Sequence, residues 1–439
     1  MNTNRILSCF IAAAIGLSGA AASGQNPNNY KTSSIIFAMQ HPSSDLTIVC
    51  AHRGVHATWG YDTYTSTPEN SLSSIGNAAS EGAECIEVDI RLTQDNIPIL
   101  THDSTWGRET NVGANWGTTY FNSWGVNPGL TVPDGDPGEL GGGSTDDGSQ
   151  EQAGLNPQVS AWSLNSVQTS GGGIKLRNSV NWEWASDSPP TLQNVIDYYN
   201  SHQLVQVLAL DIKDTNALSY AWRTIAENKA WDGQPFSFHV FFKIDAGWNY
   251  KNGPSDFQNQ FSSHLQVQYQ NVAYLPDWQW MYIMPVLQTS SASQDQLDGV
   301  ANVNANVELW KTFSRTVGVE LDQKEPGGNL SQASSNWGNS TSLANFMPYA
   351  EWISPSDHYN TYLFFNSNGY CCSSLQKYLY PGGYDGGGVP IPADNTDQRY
   401  DWSFILYGAT RFNLVTTDNV LPVLNSLSSA GMRNTGRMQ

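Results

Sequence analysis

The stretch from Cys85 to Asp103, CIEVDIRLTQDNIPILTHD, constrains the chain more than any other. Ile86, Val88, Ile90 and Leu92 alternate with Glu87, Asp89 and Arg91, the two-residue period of a strand. That alternation puts Glu87 and Asp89 on one face, about 7 Å apart at the standard strand rise. A polar turn, Gln94-Asp95-Asn96, leads into a second apolar run, Ile97 to Leu100, which ends in Thr101-His102-Asp103. Two hard oxygen ligands with a histidine returned beside them suit a divalent cation and a proton shuttle. The plainer reading is an amphipathic strand whose carboxylates face water, and the flanking sequence decides between the two.

On the N-terminal side, Leu46 to Cys50 is a short apolar run ending in Ala51-His52-Arg53-Gly54. After a loop rich in Tyr, Thr and Trp, Glu69-Asn70-Ser71 opens a helical stretch through Ala83, with Leu72, Ile75, Ala78 and Ala79 at helical spacing. Strand, helix, strand in this order is a βαβ unit, so the first two strands are parallel neighbours and His52 lies beside Glu87 and Asp89. On the C-terminal side, residues 104–188 lose all periodicity and carry glycine runs at 141–143 and 171–173. Trp106, Trp116, Trp124, Trp162, Trp182 and Trp184 mark this segment as an ordered insertion, leaving immediately after His102 and covering it as a lid.

Regular units then resume. A helix runs from Pro190 through Tyr199 and a strand from Leu204 to Lys213, LVQVLALDIK. A helix follows over Ala217–Asn228, then strands over Phe236–Ile244 and Trp280–Leu287. Next come a helix over Gln294–Ala305, a strand over Val317–Leu321 and a helix over Leu343–Tyr349. The last unit runs from Phe404 through the Ala409–Arg411 region to Val415–Asp418, with a terminal helix from Val420. Near-continuous apolar strands alternating with helices describe a parallel sheet buried on both faces. Seven to eight such units favour a closed (β/α)8 TIM barrel over residues 45–430, with a long insertion after its second strand. Chemistry in such barrels sits at the C-terminal strand ends, where His52, Arg53, Glu87, Asp89, Asp211 and Lys213 all fall.

Composition excludes some functions. Lys plus Arg number 20 against 39 Asp plus Glu, a net charge of −19. Such a chain repels phosphate backbones, so no nucleic-acid partner is expected, and docking on anionic lipid is disfavoured. Residues 1–22 read as a secretory signal peptide: one positive charge before Ile6–Leu17, then small residues with an Ala-x-Ala site at Ala20 and Ala22. No later stretch is apolar for long enough to span a bilayer, so the mature chain is expected to be exported without integral membrane association. Residues 23–44 read as an irregular lead-in. Export leaves Cys50, Cys85, Cys371 and Cys372, with three possible pairings; Cys50 and Cys85 could be bonded or be two buried thiols. Asn329 and Asn339 begin glycosylation sequons.

The motifs His52-Arg53-Gly54, Pro68-Glu69-Asn70-Ser71, GAECIEVDIRLTQDNIPILTHD at 82–103 and LALDIK at 208–213 resemble the glycerophosphodiester phosphodiesterase family. GATRFNLVTTDNV at 408–420 is similar to that family's last strand. The resemblance implies the TIM barrel shared with phosphatidylinositol phospholipase C and sphingomyelinase D. It further implies one divalent cation, Ca²⁺ or Mg²⁺, on Glu87, Asp89 and Asp211, an acid/base pair His52 and His102, and Arg53 and Lys213 gripping the phosphate. The chemistry agrees independently. Charge grows on the non-bridging oxygens during displacement, and one proton must be taken from the nucleophile while another reaches the leaving alkoxide.

Other charged residues have blander readings. Glu69 serves the helix N-terminus or supports the site from behind, and Lys243 and Glu320 form pocket walls. His56 belongs to a loop, and His202, His239, His264 and His358 have no recognisable company. Departures from the family concern the third carboxylate, Asp211 where Glu is usual and closer to sphingomyelinase D, the long loop before Pro68, Ser71 in place of Thr, and the insertion. The expected activity is hydrolysis of a small-molecule phosphodiester to an alcohol and glycerol 3-phosphate. The alternatives are phospholipase D-like cleavage of sphingomyelin or lysophospholipid, and a catalytically silent secreted binding protein.

Overall fold

Alternation sets the layers of this protein. In a computed structural model that describes residues 29–56, 66–106, 109–110, 158–169, 173–176, 185–268, 278–291, 294–295, 300–322, 348–350, 413–417 and 420–439, ten strands are present. They are β1 (Ile48–Ala51), β2 (Cys85–Leu92), β3 (Pro98–Leu100), β4 (Val207–Ile212), β5 (Val240–Asp245), β6 (Tyr282–Ser291), β7 (Gln294–Asp295), β8 (Val319–Asp322), β9 (Pro348–Ala350) and β10 (Leu414–Thr417). β3 and β7 are antiparallel additions to β2 and β6. The other eight pair in parallel in the order β1-β2-β4-β5-β6-β8-β9-β10, and β10 returns to β1. The expected (β/α)8 barrel is therefore closed, and closure removes the open edges of a sheet.

Along β2, Ile86, Val88 and Ile90 join the layer formed with surrounding helices, which also holds Ile75, Ala78, Val195, Ile196, Ala221 and Trp222. The alternate residues turn into the barrel. Cys85 packs there with Ile48, Cys50, Val207, Ala209, Phe241, Met284 and Leu414. Glu87 and Asp89 are 0% exposed, which removes the reading in which they face water. Cys50 and Cys85 are register partners and are joined as a disulfide; Cys371 and Cys372 lie outside the described residues.

The outer helices are α2 (Leu72–Glu81), α4 (Leu192–His202), α5 (Ala217–Ala226), α7 (Pro254–Gln268), α8 (Val300–Lys311) and α9 (Val420–Ser429), with the shorter α3 (Leu164–Thr169) and α6 (Ala246–Asn249). The lead-in is not irregular throughout: Thr32–Gln40 forms α1, with Ile35, Ile36 and Met39 buried beneath the N-terminal strand ends. Thr32 Oγ1 donates to Val205 O at 2.8 Å and Lys31 N to Met438 O at 2.9 Å, so both ends of the described chain close this side of the barrel.

Several boundaries differ from expectation. Phe236–His239 is a 3₁₀ turn and β5 starts only at Val240; the helix expected at Gln294 starts at Val300 and runs to Lys311. Pro348 and Tyr349, expected at the end of a helix, belong to β9, whose pairing with β8 and β10 is a long-range property. α7 was not expected, because Phe257 and Phe261 are the inward residues of an otherwise polar helix. The signal segment 1–22, both sequons, the Ala409–Arg411 region, His358 and most of the insertion lie outside the described residues. The described part of 104–188 packs Trp106, Val159, Val167 and Ile174 against Ile99 of β3.

Candidate active site

The loop after β1 is folded by its own sequence. Arg53 and Gly54 have φ of 52° and 78°, a left-handed pair that swings the chain back over the strand end. A Cβ at Gly54 would lie 2.6 Å from the carbonyl carbon of Ser74, so only glycine fits against α2. Asn70 N and Ser74 Oγ both donate to Arg53 O, at 3.1 and 2.9 Å. Ser71 caps α2 with a reciprocal capping box to Ser74, so the Glu69-Asn70-Ser71 turn and the His52-Arg53-Gly54 turn form one unit.

That unit aims its side chains at β2. Arg53 N donates to Glu87 Oε2 at 2.8 Å. The Arg53 guanidinium reaches Glu69 Oε1 at 2.8 Å and Asp89 Oδ2 at 3.1 Å, and Asn70 Nδ2 donates to Asp89 Oδ2 at 2.8 Å. His52 N donates to Thr417 O at 3.0 Å, fixing the buried histidine at the β1–β10 junction and level with Glu87.

Across β4, register pairs Asp89 with Asp211. Carboxylate oxygens of Glu87, Asp89 and Asp211 all lie within 4.8 Å of one another. Lys213 Nζ bridges Asp211 Oδ2 at 2.9 Å and Asp89 Oδ1 at 3.2 Å, and at 21% exposure it is the cation nearest solvent. Burial alone would raise the Asp89 pKa, but the charges of Lys213, Arg53 and His102, with the Asn70 hydrogen bond, hold it below the usual carboxylate range. Three hard-oxygen donors in one cluster fit a divalent cation such as Ca²⁺ or Mg²⁺. The structure thus brings the three expected ligands together.

His102 stands at the end of the β2–β3 hairpin. Its Nδ1 meets Asp103 Oδ1 at 2.7 Å, which fixes the ring and leaves Nε2 for a reacting group. Glu109 Oε1 accepts from the backbone N–H of both His102 and Asp103, each at 2.9 Å, and Arg91 Nε donates to His102 O at 2.7 Å. His102, Asp103 and Glu109 form a second group with metal-ligand spacing.

Glu69 pairs with Arg53 and so supports the site from behind, one of its two expected roles. Two residues are closer to the chemistry than sequence placed them: Lys243 and Glu320 are not pocket walls but part of the charge cluster. The available signal was Lys243 directly after the apolar run Val240–Phe242 of β5, on the same face as the inward Phe241. His56 is buried in its loop. His239 pairs weakly with Asp232 at 3.4 Å, its pKa lowered chiefly by burial.

Residues 52–233 match the model of the glycerophosphoryl diester phosphodiesterase family. Glycerophosphodiester phosphodiesterase 1 of Homo sapiens is 51% identical over 43 residues, 10% of this chain and 13% of that protein. Glycerophosphodiester phosphodiesterase of Caldanaerobacter subterraneus is 37% identical over 65 residues, 15% of this chain and 24% of that protein. The chain thus spans only 13% of the length of the human relative. A glycerophosphoryl diester phosphodiesterase structure from Parabacteroides distasonis has a TM-score of 0.46 at 14% identity, covering 91% of this chain and 92% of that one. An Oleispira antarctica phosphodiesterase, solved in complex with the product sn-glycerol-3-phosphate, has a TM-score of 0.43 at 14% identity, covering 87% of this chain and 97% of that one. Residues 52–233, which contain all seven expected site residues, are thus the part of the chain that matches the glycerophosphoryl diester phosphodiesterase family.

Proposed function

We propose that this chain is an exported phosphoric diester hydrolase that cleaves glycerophosphodiesters to an alcohol and glycerol 3-phosphate. The observation that carries the reading is the cluster of Glu87, Asp89 and Asp211 inside the mouth of the barrel, flanked by Lys213 and by two histidines at strand ends. A divalent cation on those carboxylates would neutralise charge growing on the phosphoryl oxygens. Lys213, the cation nearest solvent, meets the phosphate. Arg53 is 2% exposed and paired with Glu69 and Asp89, so it fixes the ligand carboxylate from behind as well as adding positive potential. His102, oriented by Asp103, exchanges a proton at Nε2, and His52 at the end of β1 serves the other proton.

The test is hydrolysis of glycerophosphocholine by purified protein, with EDTA and then with added Ca²⁺ or Mg²⁺, alongside His52→Ala. Glycerol 3-phosphate and choline formed only with metal and only by the unsubstituted protein support the reading. A cyclic phosphate from lysophospholipid or sphingomyelin, without turnover of glycerophosphocholine, replaces it with the phospholipase D-like reaction. No metal-dependent turnover of any diester leaves a binding protein.

A further inference from the structure

Lys243 has no task in the chemistry above, yet it lies at the centre of the charges. It faces Asp211 in the register of β4 and β5 and is 0% exposed. Its Nζ lies 3.1 Å from Glu320 Oε2, 3.3 Å from Asp211 Oδ2 and 3.9 Å from Glu87 Oε1. It is too deeply buried to touch a substrate. Both Lys243 and Glu320 fall beyond the residues that match the family model.

The surroundings of this ammonium are those of a metal ion. Two of its carboxylates, Glu87 and Asp211, also belong to the three-carboxylate cluster, while Glu320 of β8 is not one of that cluster's three members. Two-metal phosphoesterase sites place their ions about 3.5–4 Å apart, with carboxylates bridging them. Two shared carboxylates and one belonging to a single ion are the ligands such a second ion would use. We propose that the Lys243 ammonium is a built-in second cation: it holds the place of a second metal ion and restricts the centre to one. This inference rests on the reading of Glu87, Asp89 and Asp211 as a metal site.

The charge balance agrees. In the ion-paired network of the described residues, five carboxylates (Glu69, Glu87, Asp89, Asp211, Glu320) face three cations (Arg53, Lys213, Lys243). Loss of the lysine would add one more negative charge to that excess and leave Glu320 buried without this ammonium.

The test counts ions. Mn²⁺ is titrated into the full chain, with stoichiometry read by native mass spectrometry and spin–spin coupling by electron paramagnetic resonance. The unsubstituted protein is expected to bind one uncoupled Mn²⁺ per chain even at large excess. Lys243→Ala, which opens the space of the ammonium, is expected to bind two with a coupled spectrum, and Lys243→Ala/Glu320→Ala to return to one. A second, coupled ion in the unsubstituted protein overturns the proposal without need of any variant. One ion in a folded Lys243→Ala protein also overturns it. No ion in the unsubstituted protein overturns the metal reading, and this inference with it.

Discussion

The two ends of the barrel bury charge in opposite ways. At the N-terminal end, α1 and the turn Thr435–Met438 cover the strands, and one carboxylate meets one guanidinium: Glu84 takes Arg433 Nη1 at 3.1 Å and Val49 N at 2.9 Å. Burial, with Glu84 adding to it, pushes the Tyr30 hydroxyl up to about 12, so this end stays closed and neutral in sum. At the C-terminal end, carboxylates outnumber their cations and the loops carrying them hold left-handed turns at Arg53, Gly54 and Asn70. Packing and balanced charge mark the end that only stabilises, whereas unbalanced charge marks the end kept for chemistry.

Substitutions at the two ends should therefore fail differently. Glu87→Gln keeps shape but removes a ligand charge; turnover of glycerophosphocholine should fall by about 10³-fold or more, with circular dichroism unchanged. Unaltered turnover would erase the contrast. Glu84→Gln leaves Arg433 buried without its charge partner and should cost about 3–5 kcal/mol in chemical unfolding. In the same variant kcat should hold at temperatures where the protein is folded; a loss of kcat would show that the closed end also serves the reaction.

The smallest effect is a pH dependence confined to the open end. Asp89 has its folded pKa below the unfolded value of 3.8. Its ionised form therefore adds stability that is fully present above about pH 4 and is lost as pH falls toward the folded value. The stability gap between the unsubstituted protein and Asp89→Asn should be wider at pH 7 than at pH 3, measured by urea unfolding. A gap independent of pH would mean that Arg53 and Lys213 give no net support to that charge.

Much of the open end was legible in sequence because its residues cluster. Glu87, Asp89 and His102 fall within one strand and its hairpin, and alternation fixed their face before any partner was known. Lys243 and Glu320 were not legible as members of the site: each lies in a short strand far away in sequence, and only the order of strands in the barrel brings them together. α1 was hidden because Ile35, Ile36 and Met39 gain their meaning from the barrel bottom that covers them. β9 was hidden because three residues carry no periodicity of their own, and their neighbours β8 and β10 select the extended form.

The Cys50–Cys85 bond lies at a joint of the strand ring that only two register pairs hold. β1 meets β2 over Cys50–Cys85 and Ala51–Ile86, while β2 meets β4 over six residue pairs from Cys85–Val207 to Ile90–Ile212. The cross-link closes a chain separation of 35 residues. By loop-closure entropy such a loop is worth about 4 kcal/mol. A reducing expression host would deliver the polypeptide with that tie missing at this narrow joint, directly below His52 and Glu87. Oxidative folding conditions are thus a requirement for preparing material in which those two side chains share a fixed frame.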